Sequence, residues 1–265
     1  MKSLLFFIAL SICILSNAQT KDTIFNQTDK TGHKQGFWKA RYPNGIIKYT
    51  AFFKDDKPVG MMKRYSENGK LKADMLFDAT GTKAKVKMYY YQNGELAACG
   101  NFINTRKDSI WNYYSFYSKK LAKQETYTNG NLNGIAKSYF QNGKIAEERG
   151  WKNGVSDGIW KQYFENGVLK MSSAFSNGKR TGAFLLNYPD NKPEWIGAYL
   201  NDKPEGKWKH FDTLGQNDTN IEYKNGEALN AAELDAKEKE SMDKISKMRG
   251  RIPEPDENSM VPGMQ

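Results

Sequence analysis

The stretch FENGVLKMSSAFSNGKRTG, residues 164–182, contains two Asn-Gly pairs, Asn166-Gly167 and Asn177-Gly178. Asn and Gly tolerate positive φ better than other residues, and a tight type I′ hairpin turn needs positive φ at both central positions. Polar and apolar residues are intermixed between the two pairs. The stretch therefore predicts a strand between two hairpin turns.

The same pattern recurs along the chain with a period of 24 or 25 residues. Each copy opens at a position that is usually glycine: Gly36, Gly60, Ala84, Ser109, Gly134, Gly158, Gly182 and Gly206. The first turn recurs most clearly at Asn44-Gly45, Asn68-Gly69, Asn93-Gly94, Asn142-Gly143 and Asn166-Gly167. The second recurs at Asn129-Gly130, Asn153-Gly154, Asn177-Gly178 and Asn225-Gly226, with looser versions near Asp55, Thr80 and Asn104. Self-similarity at a fixed period indicates eight copies of one structural unit.

An aromatic residue precedes the second turn in every copy. These residues are Phe53, Phe77, Phe102, Tyr127, Trp151, Phe175, Tyr199 and Tyr223. A second column, two residues after the opening position, contains Trp38, Met62, Val86, Trp111, Ala136, Trp160, Phe184 and Trp208. We predict that the first column is a structural aromatic ladder, in which each copy buries its rings against the next.

Two strands in each copy predict an all-β fold, an elongated antiparallel β-hairpin repeat sheet of sixteen strands over residues 36–228. Residues 19–35 form a lead-in. Sixteen strands could also close into a barrel or group into blades. We favour an open sheet because each copy connects directly to the next, with no longer link between groups.

The two ends of the chain differ from the repeat. Residues 1–18 combine Lys2, an apolar run and small residues before Ala18, which predicts a cleaved signal peptide and export to the periplasm, outer cell envelope or medium. No later stretch is apolar enough to span a membrane. Residues 229–250 predict a short C-terminal helix, which Asn230 could cap and which we expect to cover the last strand. The Pro-rich residues 251–265 predict a disordered tail.

The repeat pattern G-x-W-x-x-Y-x-x-N-G-x-L-x-x-x-x-x-F-x-N-G-K is clearest in GIWKQYFENGVLKMSSAFSNGKRTG, residues 158–182. It resembles the variant MORN (membrane occupation and recognition nexus) repeat of many bacterial proteins. The resemblance implies an elongated interaction surface for a protein partner or a cell-envelope component, and no catalysis. Bacterial proteins of this kind are often assigned to the YwqK family of antitoxins, so a toxin-neutralising antitoxin or immunity protein is the alternative.

Catalytic and cofactor motifs are poorly supported by the sequence. Residues 154–158, GVSDG, match the G-x-S-x-G pattern of hydrolases, but a nucleophile elbow needs a strand before it and a helix after it. Neighbouring copies fill the Ser156 position with Leu132, Arg180 and Pro204, so we interpret it as a turn position. A hydrolase of an envelope polymer is therefore the least favoured function. We predict no catalytic residue, metal site or cofactor.

A column of lysines is the candidate binding feature. The residue after the Trp column is lysine in six copies: Lys39, Lys63, Lys87, Lys137, Lys161 and Lys209. Alternation along a strand places these lysines on the face opposite the Trp column. The chain has a net charge of +10, and these lysines are typical of a solvated face that discourages aggregation between sheets. The functional interpretation is a cationic stripe for an anionic envelope partner, such as lipid headgroups or polysaccharide, or for an acidic protein. We expect no nucleic acid partner, because the aromatic residues recur where the core needs them.

Overall fold

The computed structural model describes residues 24–248, which form one antiparallel sheet of nineteen strands and one C-terminal helix. The predicted signal peptide and the predicted tail lie outside the described residues. The predicted all-β class, the hairpin order and the open sheet are confirmed.

The strands divide into sixteen long ones and three of only two residues. The first half of the sheet contains β1 (Gln27–Thr28), β2 (Lys34–Arg41), β3 (Ile47–Lys54), β4 (Lys57–Tyr65), β5 (Leu71–Phe77), β6 (Lys83–Tyr89), β7 (Leu96–Ile103), β8 (Arg106–Tyr114) and β9 (Leu121–Thr128). The second half contains β10 (Asn131–Leu132), β11 (Gly134–Tyr139), β12 (Ile145–Lys152), β13 (Val155–Tyr163), β14 (Leu169–Ser176), β15 (Lys179–Asn187), β16 (Pro193–Leu200), β17 (Lys203–Phe211), β18 (Asn217–Lys224) and β19 (Glu227–Ala228). The helix α1 spans Ala231–Met248.

Strand pairing follows chain order across the sheet. Each long strand pairs with the next, both within a copy, as in Gly36 opposite Phe53, and between copies, as in Thr50 opposite Lys63. The only detour among the described strands is β10, which pairs briefly with β9 before β11 takes up the pairing with the same strand. The sixteen long strands are therefore those that the repeat predicts.

The two turns of each copy differ in backbone conformation. In the second turn of every copy except copy two, both central residues have positive φ, for example Asn153 (51°) and Gly154 (83°), as a type I′ turn requires. In the first turn only the glycine does, as at Gly167 (93°), so the type I′ prediction for that turn is wrong. Its Asn instead accepts a hydrogen bond from the amide two residues later, with 2.9 Å between Asn166 Oδ1 and Val168 N. Such an Asx arrangement stabilises a wider turn.

Side chains at the first turns join neighbouring copies. Asn142 Nδ2 donates to Glu165 O at 3.0 Å, one copy further along. A tyrosine beside the turn does the same when the Tyr90 hydroxyl donates to Tyr114 O at 2.7 Å. These bonds run between equivalent positions of successive copies, and they fix the stacking of the turns as well as that of the strands.

The position that opens each copy controls a β-bulge. Gly60, Ser109, Gly158, Gly182 and Gly206 all have positive φ, and the register of the hairpin shifts beside each of them. Where the position is Ala84, φ is not positive and β5 pairs with β6 in unbroken register. An L-residue with a Cβ resists the left-handed conformation, so alanine at this position disfavours the bulge.

The core is a thin layer on the sheet face that bears the Trp column, which we call the aromatic face. Trp111 is the one large side chain that is fully buried among residues 24–248, and Ala84, Val86 and Ala98 surround it. Trp208 of the Trp column is also buried. In the predicted ladder Phe53 is buried, whereas the other rings are half-buried. Neighbouring rings contact each other, as in Phe102 and Trp111 with centroids 5.1 Å apart.

Helix α1 does not contribute to the core. None of its residues is buried, so the expectation that it covers the last strand is wrong. Asn230 does not cap it with its side chain either. Its Oδ1 accepts from Glu222 N at 3.2 Å and its Nδ2 donates to Asn220 O at 3.0 Å, both on β18. Asn230 and the short strand β19 thus pair with the terminal strand instead.

Candidate binding surfaces

The predicted lysines lie in one row that crosses the sheet on the face opposite the aromatic face. We call this the lysine face. Successive cross-strand partners along the row are Lys39, Thr50, Lys63, Asp74, Lys87, Cys99, Asn112, Gln124, Lys137, Glu148, Lys161, Ser172, Leu185, Ile196, Lys209 and Asn220. The row therefore brings the six lysines into register.

Two carboxylates interrupt the positive charge of this row. Asp74 lies between Lys63 and Lys87, and its Oδ2 accepts from the Tyr89 hydroxyl at 3.0 Å. Glu148 lies between Lys137 and Lys161, with 3.0 Å between its Oε1 and Lys137 Nζ. Burial disfavours the charged form of Glu148, but hydrogen bonds from Lys137 and Tyr163 outweigh burial and lower its pKa. Neither acid was foreseen, because both lie on the strand of their hairpin that does not carry the lysine column.

The lysines differ in how free their ammonium groups are. Lys63, Lys87 and Lys209 are exposed, whereas Lys39, Lys137 and Lys161 are half-buried. Lys39 Nζ lies 4.1 Å from the centre of the Phe25 ring. The stripe is consequently a set of two clusters, one in the first three copies and one at copies five and six, with Lys209 alone near the far end.

A second row on the lysine face is apolar and was missed by the sequence analysis. Its members lie beside the lysine row and are 37% to 50% exposed: Phe37, Phe52, Met61, Leu76, Ile110, Ile135, Ile159 and, within the lysine row itself, Ile196. Phe37 and Phe52 pack edge to face with centroids 5.0 Å apart. The signal was present in the sequence, because the residue after the opening position is apolar in six copies, with Lys85 and Lys207 as the exceptions. Exposed apolar side chains that recur on one face in this way are typical of an interaction surface.

Cationic side chains lie between the rings of the aromatic face. Lys34 Nζ is 4.9 Å from the centre of the Trp38 ring, and Lys107 Nζ is 4.8 Å from that of Trp111. Later in the sheet Arg149 and Arg180 occupy similar places beside Trp160. The predicted ladder is therefore an alternation of rings and cations, and the cations add cation–π attraction to the burial of the rings.

Lys107 belongs to a polar cluster on the same face. Its Nζ donates to the Tyr113 hydroxyl at 2.6 Å, and the Tyr127 hydroxyl donates to Glu125 Oε2 at 2.7 Å. Lys123 Nζ is 2.5 Å from Glu125 Oε1. Burial lowers the pKa of Lys107, with the Glu125 charge opposing. Burial also opposes ionisation of Glu125, but hydrogen bonds from Lys123 and Tyr127 outweigh it and keep the pKa of this buried carboxyl below its usual value.

The residues considered as candidate nucleophiles or metal ligands do not form a reactive site. Ser156 lies within strand β13, opposite Trp151, so the strand–turn–helix geometry of a nucleophile elbow is absent there. Cys99 is a half-buried free thiol, 3.8 Å from the Tyr114 hydroxyl. Within residues 24–248 no three His, Cys, Asp or Glu side chains are grouped so that they could hold a metal ion. Over the same range, no helix has the length and apolarity needed to cross a membrane.

Comparison with known proteins identifies the repeat. Residues 58–79, 132–153 and 156–177 match the family model described as MORN repeat variant. No curated protein matches the chain. A solved structure titled "Crystal Structure of TarM" is similar at 13% identity and a TM-score of 0.27, over 38% of this chain and 20% of that one. MORN repeats are generally non-catalytic and bind proteins or membranes, which is compatible with a scaffold.

Proposed function

We propose that this protein is a non-catalytic scaffold whose lysine face docks on an anionic surface of the bacterial cell envelope. One observation carries the proposal, the juxtaposition of the lysine row with an exposed apolar row on one face of the sheet. On each strand the two rows are two residues apart, as in Ile135 and Lys137 or Ile159 and Lys161.

The charges of the lysine face fit an anionic partner. A basic side chain close to an anionic membrane surface contributes about 1 kcal/mol to binding, so several acting together give measurable affinity. Lys63 and Lys87 are exposed and available for this role. Lys137 is already paired with Glu148 and is expected to contribute less. Such binding weakens with salt because exposed charges are screened over a Debye length of about 8 Å at physiological ionic strength.

The apolar row favours a lipid surface over a purely ionic polymer. Phe37, Met61 and Ile110 project from the face on which the lysines lie. Interfacial membrane binding combines buried apolar area with electrostatic attraction to anionic lipid. The repeat family that three segments match is compatible with membrane binding.

Co-sedimentation with vesicles tests the proposal. We expect residues 19–265 to bind vesicles of phosphatidylglycerol and phosphatidylcholine and not vesicles of phosphatidylcholine alone. Changing the three exposed lysines Lys63, Lys87 and Lys209 together with Lys161 to Gln should reduce binding at least tenfold at low salt. Changing Lys237, Lys239, Lys244 and Lys247 of helix α1 to Gln is the matched control, and it should leave binding unchanged. Equal binding by the two variants would contradict the proposal.

Export is part of the proposed function. It is supported by the pattern of residues 1–18, which predicts a signal peptide. N-terminal sequencing of the protein recovered from the envelope fraction should begin at Gln19. A chain that begins at Met1 and stays in the cytosol would contradict export.

The antitoxin alternative makes a different prediction. An immunity protein should retain one protein partner at high salt, whereas docking on an anionic surface should be lost. A pulldown of residues 19–265 from envelope extract in low and high salt separates the two. Recovery of one salt-resistant protein would favour the antitoxin function.

A further inference from the structure

The indole N–H groups of the Trp column are not equally satisfied. Trp111 Nε1 donates to Asn101 O at 2.9 Å, and Trp208 Nε1 donates to Ala198 O at 3.1 Å. The equivalent Trp160 Nε1 is buried without a hydrogen-bond partner among residues 24–248. A buried donor that has lost its hydrogen bond to water and gained no acceptor destabilises the fold, so this exception needs a physical reason.

The three indoles differ because of the residue that lies two positions before the aromatic ladder residue in the preceding copy. In copies three and seven this residue is Gly100 and Gly197, and the next indole lies directly on the glycine. Before Trp160 the same position is Arg149, which lies opposite it in the register. The arginine side chain thus lies beside the Trp160 ring, where the other two indoles rest on a glycine. Trp160 Nε1 is therefore left free by a difference in sequence.

Arg149 is itself held among aromatic rings. Its guanidinium carbon is 4.7 Å from the centre of the Phe175 ring, 5.2 Å from that of Trp151 and 5.5 Å from that of Trp160. Its Nε is buried and unpartnered within the described part of the chain. Stacking on rings leaves the edge of a guanidinium, where its donors lie, available for a planar or tetrahedral oxyanion.

A second arginine lies beside the same indole. The guanidinium carbon of Arg180 is 5.1 Å from the centre of the Trp160 ring and 4.6 Å from that of Tyr199. The ion pairs formed among residues 24–248 include neither Arg149 nor Arg180. Two half-buried cations without a carboxylate partner thus flank one ring.

Two further donors at this place lack acceptors in the described chain. They are Trp151 Nε1, beside Arg149, and Ser173 Oγ, on the residue opposite Trp160. Ser173 is 5% exposed, so its hydroxyl is shielded from bulk water. Four of the five unsatisfied buried side-chain atoms found in residues 24–248 belong to this cluster. Each of the four can donate a hydrogen bond, so the group suited to this place is an acceptor.

Two acidic side chains lie near this cluster, and each affects how well it can hold an anion. A cavity of about 250 Å³ beside Arg149 and Trp151 is also lined by Glu125 and Glu147. The negative charge of Glu125 is balanced by Lys123, with 2.5 Å between Glu125 Oε1 and Lys123 Nζ. Glu147 Oε2 accepts from Gln162 Nε2 at 3.2 Å and has no basic partner among the described ion pairs. Glu147 therefore opposes an anion, and its neutralisation should strengthen binding.

We propose that Arg149, Arg180, Trp151, Trp160 and Ser173 form a binding site for an oxyanion group on the aromatic face. The group is a carboxylate or a phosphate, the two chemistries that guanidinium edges and indole N–H donors share as acceptors. The site lies on the face opposite the lysine row, so it is independent of docking through that row.

Calorimetric titration at low salt tests this site. The probes are hexaglutamate peptide for carboxylates and inorganic phosphate for phosphates, each added to residues 19–265. We expect saturable binding of at least one probe. Arg149→Gln and Arg180→Gln should each weaken it at least tenfold, Trp160→Phe should weaken it severalfold by removing only the N–H, and Glu147→Gln should strengthen it. The probe that binds identifies the source of the oxyanion.

The matched control is Arg106→Gln, the same charge change at an exposed arginine of β8 on the lysine face. This variant should bind like the wild type, and thermal melting should show that every variant is folded. Absence of saturable binding of both probes would overturn the proposal. So would equal weakening by Arg106→Gln, since binding would then follow net charge only. A Trp160→Phe variant that binds normally would remove the indole from the site and overturn its assigned role.

Discussion

The indole of Trp111 lies directly on Gly100, so a Cβ at residue 100 would overlap the ring at its Cγ, Cδ2 and Cε2 atoms. This contact is the centre of the only cluster in residues 24–248 with a fully buried large side chain. The same arrangement recurs at Gly197 and Trp208. At these two places a Trp in one copy packs on a glycine of the copy before it, whereas Trp160 lies opposite Arg149.

Gly100→Ala is expected to destabilise the fold by about 1–3 kcal/mol, because overpacking a filled core forces the indole out of its place. The backbone of Gly100 is not in the left-handed region, so the effect arises from the clash alone. Chemical denaturation measures the loss. Adding Trp111→Met, which copies the natural pair Ala51 and Met62, should recover part of it. A Gly100→Ala variant as stable as the wild type would contradict this account.

Ser109→Gly is expected to stabilise the protein by up to about 1 kcal/mol. Ser109 has a φ of 59°, and the left-handed conformation costs about 1–2 kcal/mol for a residue with a Cβ. The greater freedom of glycine in the unfolded chain offsets part of the gain. The matched control is Ala84→Gly, where φ is not positive and glycine should destabilise. Opposite shifts of the two midpoints of unfolding are the expected result.

Glu125→Gln is expected to destabilise the protein at neutral pH by about 1–3 kcal/mol, as for a hydrogen bond to a charged group. Because the pKa of Glu125 is lower in the folded than in the unfolded chain, its contribution is fully present above its ordinary value of 4.5. It decreases as the pH falls through the folded pKa. The stability difference between wild type and variant should therefore shrink below pH 4.5. Glu238→Gln, at an exposed position of helix α1, is the control and should leave stability unchanged. A stability difference between wild type and Glu125→Gln that persists in acid would contradict the assignment.

Removal of residues 231–265 is expected to change stability by less than about 0.5 kcal/mol, since helix α1 buries none of its residues. Asn230→Ala in the intact chain should cost more, about 0.5–1.5 kcal/mol, through its two hydrogen bonds with β18. Thermal melting of the two variants makes the comparison. A truncated protein that is less stable than Asn230→Ala would show that the helix protects the sheet.

Much of the fold could be predicted from the sequence because its determinants are local. The period of the Asn-Gly turns defines sixteen strands, and alternation along each strand assigns residues to a face. Even the missing bulge at Ala84 follows from one residue. The difference between the two turns could not be read from the residue pair, since Asn-Gly fits both a type I′ turn and the glycine end of a wider one.

The candidate sites could be predicted only in part. The lysines were found because they recur in one column of the repeat. Asp74 and Glu148, which share their row, belong to the other strand of each hairpin and become neighbours only through the register. The apolar row had a sequence signal, but residues such as Phe37 could equally have been buried under a second layer.

The sequence by itself determined the repeat, the strands, their order and the face on which each side chain lies, because hairpin turns and strand alternation act over a few residues. The tertiary structure decided what each face does. Stacking of copies places Trp111 on Gly100 and Trp160 beside Arg149, about one strand away across the sheet. One indole is thereby buried and hydrogen-bonded and the other keeps a free donor between two cations. These differences arise from contacts between copies, and a pattern within one copy does not contain them.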